Sequence, residues 1–442
     1  MKNGNKYLCW FALACLVVPM FASYFFDDMF STVSHLFGHP ETLALGWDSK
    51  DLGNFIGDYS LLCVCGGLIV GGILLDVFGI RIMGSVFVGM MVGGAALAYY
   101  GVAGGLPKES AIAIGRVGRM LFGLGSEIAG VAVTRSIAKW FKDGNMSFAM
   151  GLQLAIARAG TAIALIAAPF IVGVPKDFYE IADTARPALF GLSLLLLGAV
   201  VWGLFVALDA RKDAVEGRVF KKGEVGEEEK FSFRDIFGLL KNPRFIMIGL
   251  LCVTFYCCVS SFKKFGTAVV IPRFGLEDGA AGTMVAMIPF FTIIFTPLFG
   301  ALVDKVGHAT KWMILGSFAV LSGHAILAFA PQGMQFFGYA GIALLGLGYS
   351  LVPSAMWPSV PKIVPEKNLG TAYSLVYWIQ NVGLFFVPKI VGRIFAKDSG
   401  LTGALHVEWV FFGLAIVAVS LALALRRSSA LHPELGLDKS RK

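Results

Sequence analysis

Gly72-Ile73-Leu74-Leu75-Asp76-Val77-Phe78-Gly79-Ile80-Arg81 lies between two apolar runs, and Gly300-Ala301-Leu302-Val303-Asp304-Lys305-Val306-Gly307 lies between two others. Gly72 and Gly300, Asp76 and Asp304, and Gly79 and Gly307 are each offset by 228. A second correspondence runs at an offset of 223: Gly123-Leu124-Gly125 with Gly346-Leu347-Gly348, and Gly160 with Gly383. Two offsets that differ by five, in the same order, describe a chain made of two similar halves with one small loop difference.

The composition says what kind of halves these are. Of 442 residues 57% are hydrophobic and only 15% charged, with a mean hydropathy of +0.74. A soluble chain is about a quarter charged. A membrane-spanning helix takes roughly 20 apolar residues. Twelve segments qualify, near 7–27, 52–75, 82–104, 111–138, 145–173, 187–209, 245–271, 280–303, 311–331, 335–360, 368–395 and 403–425. Only 211–243 is long, polar and charged. The reading is an all-α polytopic membrane protein: a six-helix bundle over 1–210, a cytoplasmic linker over 211–243, and a second bundle with a short tail over 244–442.

Charge sets the orientation. With both termini cytoplasmic, inner segments hold 23 Lys and Arg and outer segments only seven: Lys50, Lys108, Lys176, Arg186, Arg273, Arg393 and Lys397. The net charge of +8 is then a matter of topology, and nucleic acid is excluded as a partner. The seven cysteines and the His35/His39 pair show no metal-ligand or disulfide spacing. No cofactor or metal is expected.

Ionisable residues at membrane depth are functional candidates by default, because each costs several kcal/mol unless compensated. Glu127 in the fourth segment and Arg158 in the fifth flank the hairpin at Asp143-Gly144 at nearly equal distances. At 1.5 Å per residue both stand roughly 20 Å above it. They are placed to pair, as a helix clamp or as a substrate site. At the 223 offset they correspond to Ser350 and Asn381, so the second half keeps polar groups there without charge. That asymmetry favours a substrate site. Asn381 continues a helical stripe with Tyr373 and Tyr377, and Trp357 and Gln380 are further candidates.

The repeated loops read as an inner gate. Glycines at 72 and 300 suit close helix approach, and the carboxylates of Asp76 and Asp304 suit a helix N-terminus and cations such as Arg81 and Lys305. Val77 stands where a second cation would strengthen the first copy, so the Asp304-Lys305 copy is expected to be the stronger. Asp27 and Asp28 end the first segment, and Lys263 and Lys264 occupy the equivalent depth in the seventh. Either they close an outer gate by Asp–Lys pairing or the carboxylates are interfacial. Arg116 and Arg119 either draw anions inward or cap the outer end of the fourth helix.

Gly118-Arg119-Met120-Leu121-Phe122-Gly123-Leu124-Gly125-Ser126-Glu127, Trp140-Phe141-Lys142 and Gly151-Leu152-Gln153 through Ala157-Arg158-Ala159-Gly160 carry a more specific pattern. So do Trp357-Pro358, Val364-Pro365-Glu366, Leu369-Gly370-Thr371-Ala372-Tyr373 and Ile379-Gln380-Asn381-Val382-Gly383. The pattern resembles the major facilitator superfamily domain-containing protein 1 family, whose animal members are lysosomal dipeptide transporters. The resemblance implies the major facilitator fold and alternating-access movement of short peptides, with Glu127 and Arg158 in the dipeptide site. A carboxylate and a guanidinium suit a zwitterion: Arg158 takes the carboxylate bidentately and Glu127 the ammonium. The expected partners are a small solute, the lipid bilayer and, if transport is proton-coupled rather than uniport, protons. An organic or inorganic anion transporter using Arg158 and Lys264 is the alternative. No enzyme is expected, because no nucleophile–base arrangement or phosphate loop appears. A tail of about six residues leaves no room for a lysosomal sorting signal, so a monomer in a bacterial plasma membrane is expected.

Overall fold

The computed structural model describes residues 3–141, 146–215, 233–364, 369–433 and 436–438. Among them, twelve helices are long and apolar enough to cross a membrane. They are α1 (Tyr7–Asp28), α2 (Ser49–Leu75), α3 (Val77–Ala103), α4 (Lys108–Trp140), α5 (Phe148–Val172), α6 (Ile181–Val215), α7 (Pro243–Phe274), α8 (Asp278–Val306), α9 (Ala309–Phe329), α10 (Gln335–Ile363), α11 (Thr371–Lys397) and α12 (Gly400–Leu431). Each predicted segment falls on one helix, and most helices run a few residues longer. Polar and charged residues excluded by an apolar count complete the interfacial turns.

The chain forms two compact units. One holds Met1–Met29 and Asp58–Glu224, the other Phe30–Gly57 and Val225–Lys442. The outer loop after α1 and the first turns of α2 thus belong with the second half of the chain. His35 Nε2 meets Asp278 Oδ1 at 2.7 Å, and Ser34 shares a hydrogen bond with Thr267 at 3.2 Å. Gly53 and Gly392 touch backbone to backbone: a Cβ on Gly53 would lie 2.6 Å from the Pro388 carbonyl oxygen and 2.9 Å from Gly392 Cα.

Small residues decide which helices adjoin. In the first unit Gly94 and Gly101 of α3 lie against Gly118 and Gly115 of α4, and Gly125 faces the backbone of Phe87 and Met91. This seam makes α3 the main neighbour of α4. Gly123, on another face of α4, lies against Tyr59 of α2, where a Cβ would stand 2.0 Å from the carbonyl oxygen. Gly160 brings α5 to the Phe21 carbonyl of α1.

The second unit repeats these contacts. Gly346 faces Phe291 of α8, Gly348 faces Gly316 and Val320 of α9, and Gly383 faces Val253 and Cys257 of α7. Helices 2, 3 and 1 of the first half thus correspond to helices 8, 9 and 7 of the second. The repeated loops share a backbone device as well. Gly79 (φ 79°, ψ 167°) and Gly307 (φ 74°, ψ −148°) occupy a region essentially closed to other residues.

The glycines expected to permit close approach in those loops do something else. A Cβ on Gly72 or Gly300 would meet nothing within 4 Å. Position 123 should therefore be sensitive and position 72 indifferent. Gly123→Ala is expected to cost about 1–3 kcal/mol through overpacking, and Gly72→Ala to leave the melting temperature of the detergent-purified protein unchanged. Equal melting of the two variants would contradict the packing.

The second unit also holds a buried His–Glu contact that the sequence reading passes over. His324 of α9 and Glu408 of α12 are fully buried, with Nδ1 2.9 Å from Oε2. His324 stacks on Phe411 and meets the edge of Phe262.

Candidate functional site

The first-unit site is built on α2 and α4. By admitting the Tyr59 carbonyl, Gly123 lets α2 approach one turn before Glu127. The Tyr59 hydroxyl donates to Glu127 Oε1 at 2.9 Å and lies 3.4 Å from Ser126 Oγ. Ser126 shares a further hydrogen bond with Ser23 of α1 at 2.5 Å. Glu127 is half-buried, and its carboxylate is held by the Tyr59 hydroxyl.

Arg158 is also half-buried, on α5. No ion pair joins it to Glu127 among the described residues, contrary to the expectation from depth. The reason is the helix order around the bundle: α4 packs chiefly on α3 and α5 on α1. Distance along a hairpin gives height, not facing direction. Asp143 and Gly144, from which the height is reckoned, lie outside the described residues.

Above Glu127 the charges are already matched. Arg119, 1% exposed, pairs with Asp27 and lies over the rings of Tyr59 and Phe122 at 5.1 and 5.4 Å. Arg116 pairs with the fully buried Asp58. Thr161 of α5 donates to Asp28 at 2.7 Å. Arg116 and Arg119 are thus partners of acidic groups, rather than open attractors of anions or helix caps. Lys264 is buried and Lys263 half-buried on α7.

The second-unit candidates form an aromatic set. Trp357 stacks on Tyr377 with ring centroids 4.8 Å apart, and Tyr373 donates to the Trp357 carbonyl at 3.3 Å. Trp357 Nε1 donates to Tyr256 at 3.2 Å, and Tyr349 shares a hydrogen bond with Ser260 at 2.8 Å. Asn381 is buried, its amide donating to the Tyr377 carbonyl at 3.1 Å while Oδ1 takes no hydrogen bond. The Cys252 thiol lies 3.5 Å from Gln380 Oε1. Ser350 is fully buried and donates to Gly346 in its own helix at 2.8 Å.

At the cytoplasmic end, Arg81 pairs with Asp209 and Asp213 of α6. Lys139 of α4 reaches the same two carboxylates at 2.8 and 2.9 Å, and Trp140 Nε1 donates to Asp209 at 2.8 Å. Asp304 and Lys305 are exposed and make no ion pair among the described residues. In the first copy, Arg81 is thus engaged by α6. The side chain of Asp76 lies outside the described residues.

Sequence reasoning missed Tyr59, Tyr256 and Tyr349. Tyr59 had a signal: Gly123 requires a close neighbour, and only a structure shows which.

The arrangement offers a carboxylate and a guanidinium within one helical unit, without a metal-ligand group among the described residues. Comparison with known proteins agrees with the helical architecture. The Major Facilitator Superfamily profile matches residues 11–388 and 258–437. The lysosomal dipeptide transporter MFSD1 of Homo sapiens is 32% identical over 80% of this chain and 72% of its own length. That of Danio rerio is 30% identical over 84% and 77%. The inward-open xylose transporter XylE of E. coli superposes with a TM-score of 0.70 at 14% identity, covering 99% of this chain and 97% of its own. A D-xylose-proton symporter gives 0.68 at 16%, covering 94% and 96%. The relatives are named for the lysosome, and the likeness lends no support to a bacterial plasma membrane. The chain is an integral membrane protein and a transporter, and it belongs to the Major Facilitator Superfamily, in the family of the lysosomal dipeptide transporter MFSD1.

Proposed function

We propose that this protein moves dipeptides, or zwitterions of similar size, across its membrane by alternating access. The observation that carries the reading is Glu127: a half-buried carboxylate at membrane depth that is held by a neutral hydroxyl and has no cation partner among the described residues. Such a group is available for an ammonium, and an ammonium brought to it recovers part of the desolvation cost. Arg158 takes the peptide carboxylate. Tyr373, Tyr377, Trp357, Gln380 and Asn381 are assigned to side-chain selectivity. Arg81 with Asp76, Gly79 and Gly72, and Asp304-Lys305 with Gly300 and Gly307, are assigned to the inner gate. Asp27 and Asp28 with Lys263 and Lys264 are assigned to the outer one.

Thermal stability of the purified protein against dipeptides, single amino acids and small anions tests the substrate, because a ligand of the folded state raises the melting temperature by mass action. Stabilisation by anions that survives Glu127→Gln would instead establish the anion reading based on Arg158 and Lys264. Uptake into vesicles with and without a pH gradient separates uniport from proton coupling.

Tyr59 supplies a finer test. Tyr59→Phe removes one hydrogen bond to Glu127 and keeps the ring. Net hydrogen bonds contribute about 0.5–1.5 kcal/mol, so apparent dipeptide affinity is expected to change about two- to tenfold. The response to free carboxylates should stay as it is.

A further inference from the structure

The outer end of the second unit carries a groove lined by none of the residues assigned above to transport. It measures about 490 Å³ and is lined by Ile390, Arg393, Ile394 and Lys397 of α11, with Asp398 and His406 beyond. Positions 390, 393, 394 and 397 are spaced i, i+3, i+4, i+7 and form one helix face. The opposite face is taken: Pro388 and Gly392 lie against Gly53, and the Phe385 carbonyl against Gly57. The groove is the side of α11 that its own unit leaves open.

Its chemistry is uneven. His406 Nδ1 lies 3.0 Å from Asp398 Oδ2, so the acidic group has a partner. Arg393 and Lys397 are exposed, one turn apart, and make no ion pair or hydrogen bond among the described residues. Below them Ile390 is 42% exposed on a membrane-spanning helix. Outer segments hold only seven cations in all, and these are two of them. Charge stacked over an apolar wall at the end of a spanning helix fits an amphiphile whose anionic head lies at the interface.

We propose that this groove binds one anionic phospholipid of the outer leaflet, its phosphate between Arg393 and Lys397 and an acyl chain along Ile390 and Ile394. Arg393 takes the phosphate oxygens through its planar fork, and Lys397 adds a point charge. A headgroup ending in a quaternary ammonium brings a third cation to the same place and is disfavoured.

Native mass spectrometry of the full-length protein, titrated with phosphatidylglycerol or phosphatidylcholine, tests this. One phosphatidylglycerol is expected to be retained about thirtyfold more tightly than phosphatidylcholine, from about 1 kcal/mol for each basic residue near the surface. R393Q/K397Q is expected to lose that one lipid, and Lys305→Gln on the inner side to keep it. Ile394→Trp, which fills the groove without touching charge, should lose it too. If that variant does not fold, Ile394→Ala should weaken retention. Overturning results are an unchanged lipid count in the charge variant or in the folded Ile394 variant, or equal retention of phosphatidylcholine. Displacement by millimolar inorganic phosphate would show a free-anion site and overturn the lipid assignment.

Discussion

Arg158→Ala is expected to abolish stabilisation of the purified protein by dipeptides and to lower their uptake into vesicles by ten- to a hundredfold. Hydrogen bonds to charged groups contribute about 1.5–3 kcal/mol each, and a tenfold change in affinity corresponds to about 1.4 kcal/mol. Arg158→Lys should recover part of the affinity, because it keeps the charge and loses the planar fork. Dipeptide stabilisation surviving in the alanine variant would remove Arg158 from the site.

Glu408→Ala is expected to be the most destabilising single change away from that site. Removing Glu408 leaves the buried imidazole without its hydrogen-bond partner, at about 1–3 kcal/mol, and opens a cavity that adds to this cost. His324 is fully buried against Phe411 and Phe262. In a unit of this size roughly 2–4 °C accompanies each kcal/mol, so the melting temperature should fall on the order of 10 °C. Glu408→Gln retains a carbonyl to receive the imidazole N–H and should lose less. A melt within a degree of the parent would show that the pair contributes nothing to the fold.

These two expectations differ in how far the sequence announces them. Glu127 and Arg158 stand out as lone charges in apolar runs, and their motifs carry the resemblance. His324 and Glu408 are 84 residues apart on different helices, and nothing local ties them together. Periodicity and length give the twelve spans, because each apolar run reports directly on its own helix. Which helix adjoins which is set by contacts between distant segments. Gly123, Gly125 and Gly160 show in the sequence that something must come close, and their equivalents Gly346, Gly348 and Gly383 that it happens twice. They do not name the neighbour. The same gap explains Glu127: its height is legible, but its hydroxyl partner Tyr59 comes from α2, beyond the hairpin from which the height is reckoned. The Ser350 hydrogen bond is equally silent in the sequence, since a serine in an apolar helix can satisfy itself on the carbonyl one turn back.

The assignment of Phe30–Gly57 to the second unit has a consequence for the order in which the protein is made. His35, Ser34 and Gly53 leave the ribosome long before Asp278, Thr267 and Gly392 exist. At about 5–20 residues per second, the interval between Gly57 and Gly392 lasts roughly 20–70 s. Ser34 and His35 wait until Thr267 and Asp278 emerge, and Gly53 waits through the whole interval. The second unit therefore completes by taking back a segment synthesised near the start, so assembly closes on the N-terminal region last. A chain halted before α11 would hold the partners of Ser34 and His35 but not the helix that Gly53 packs against.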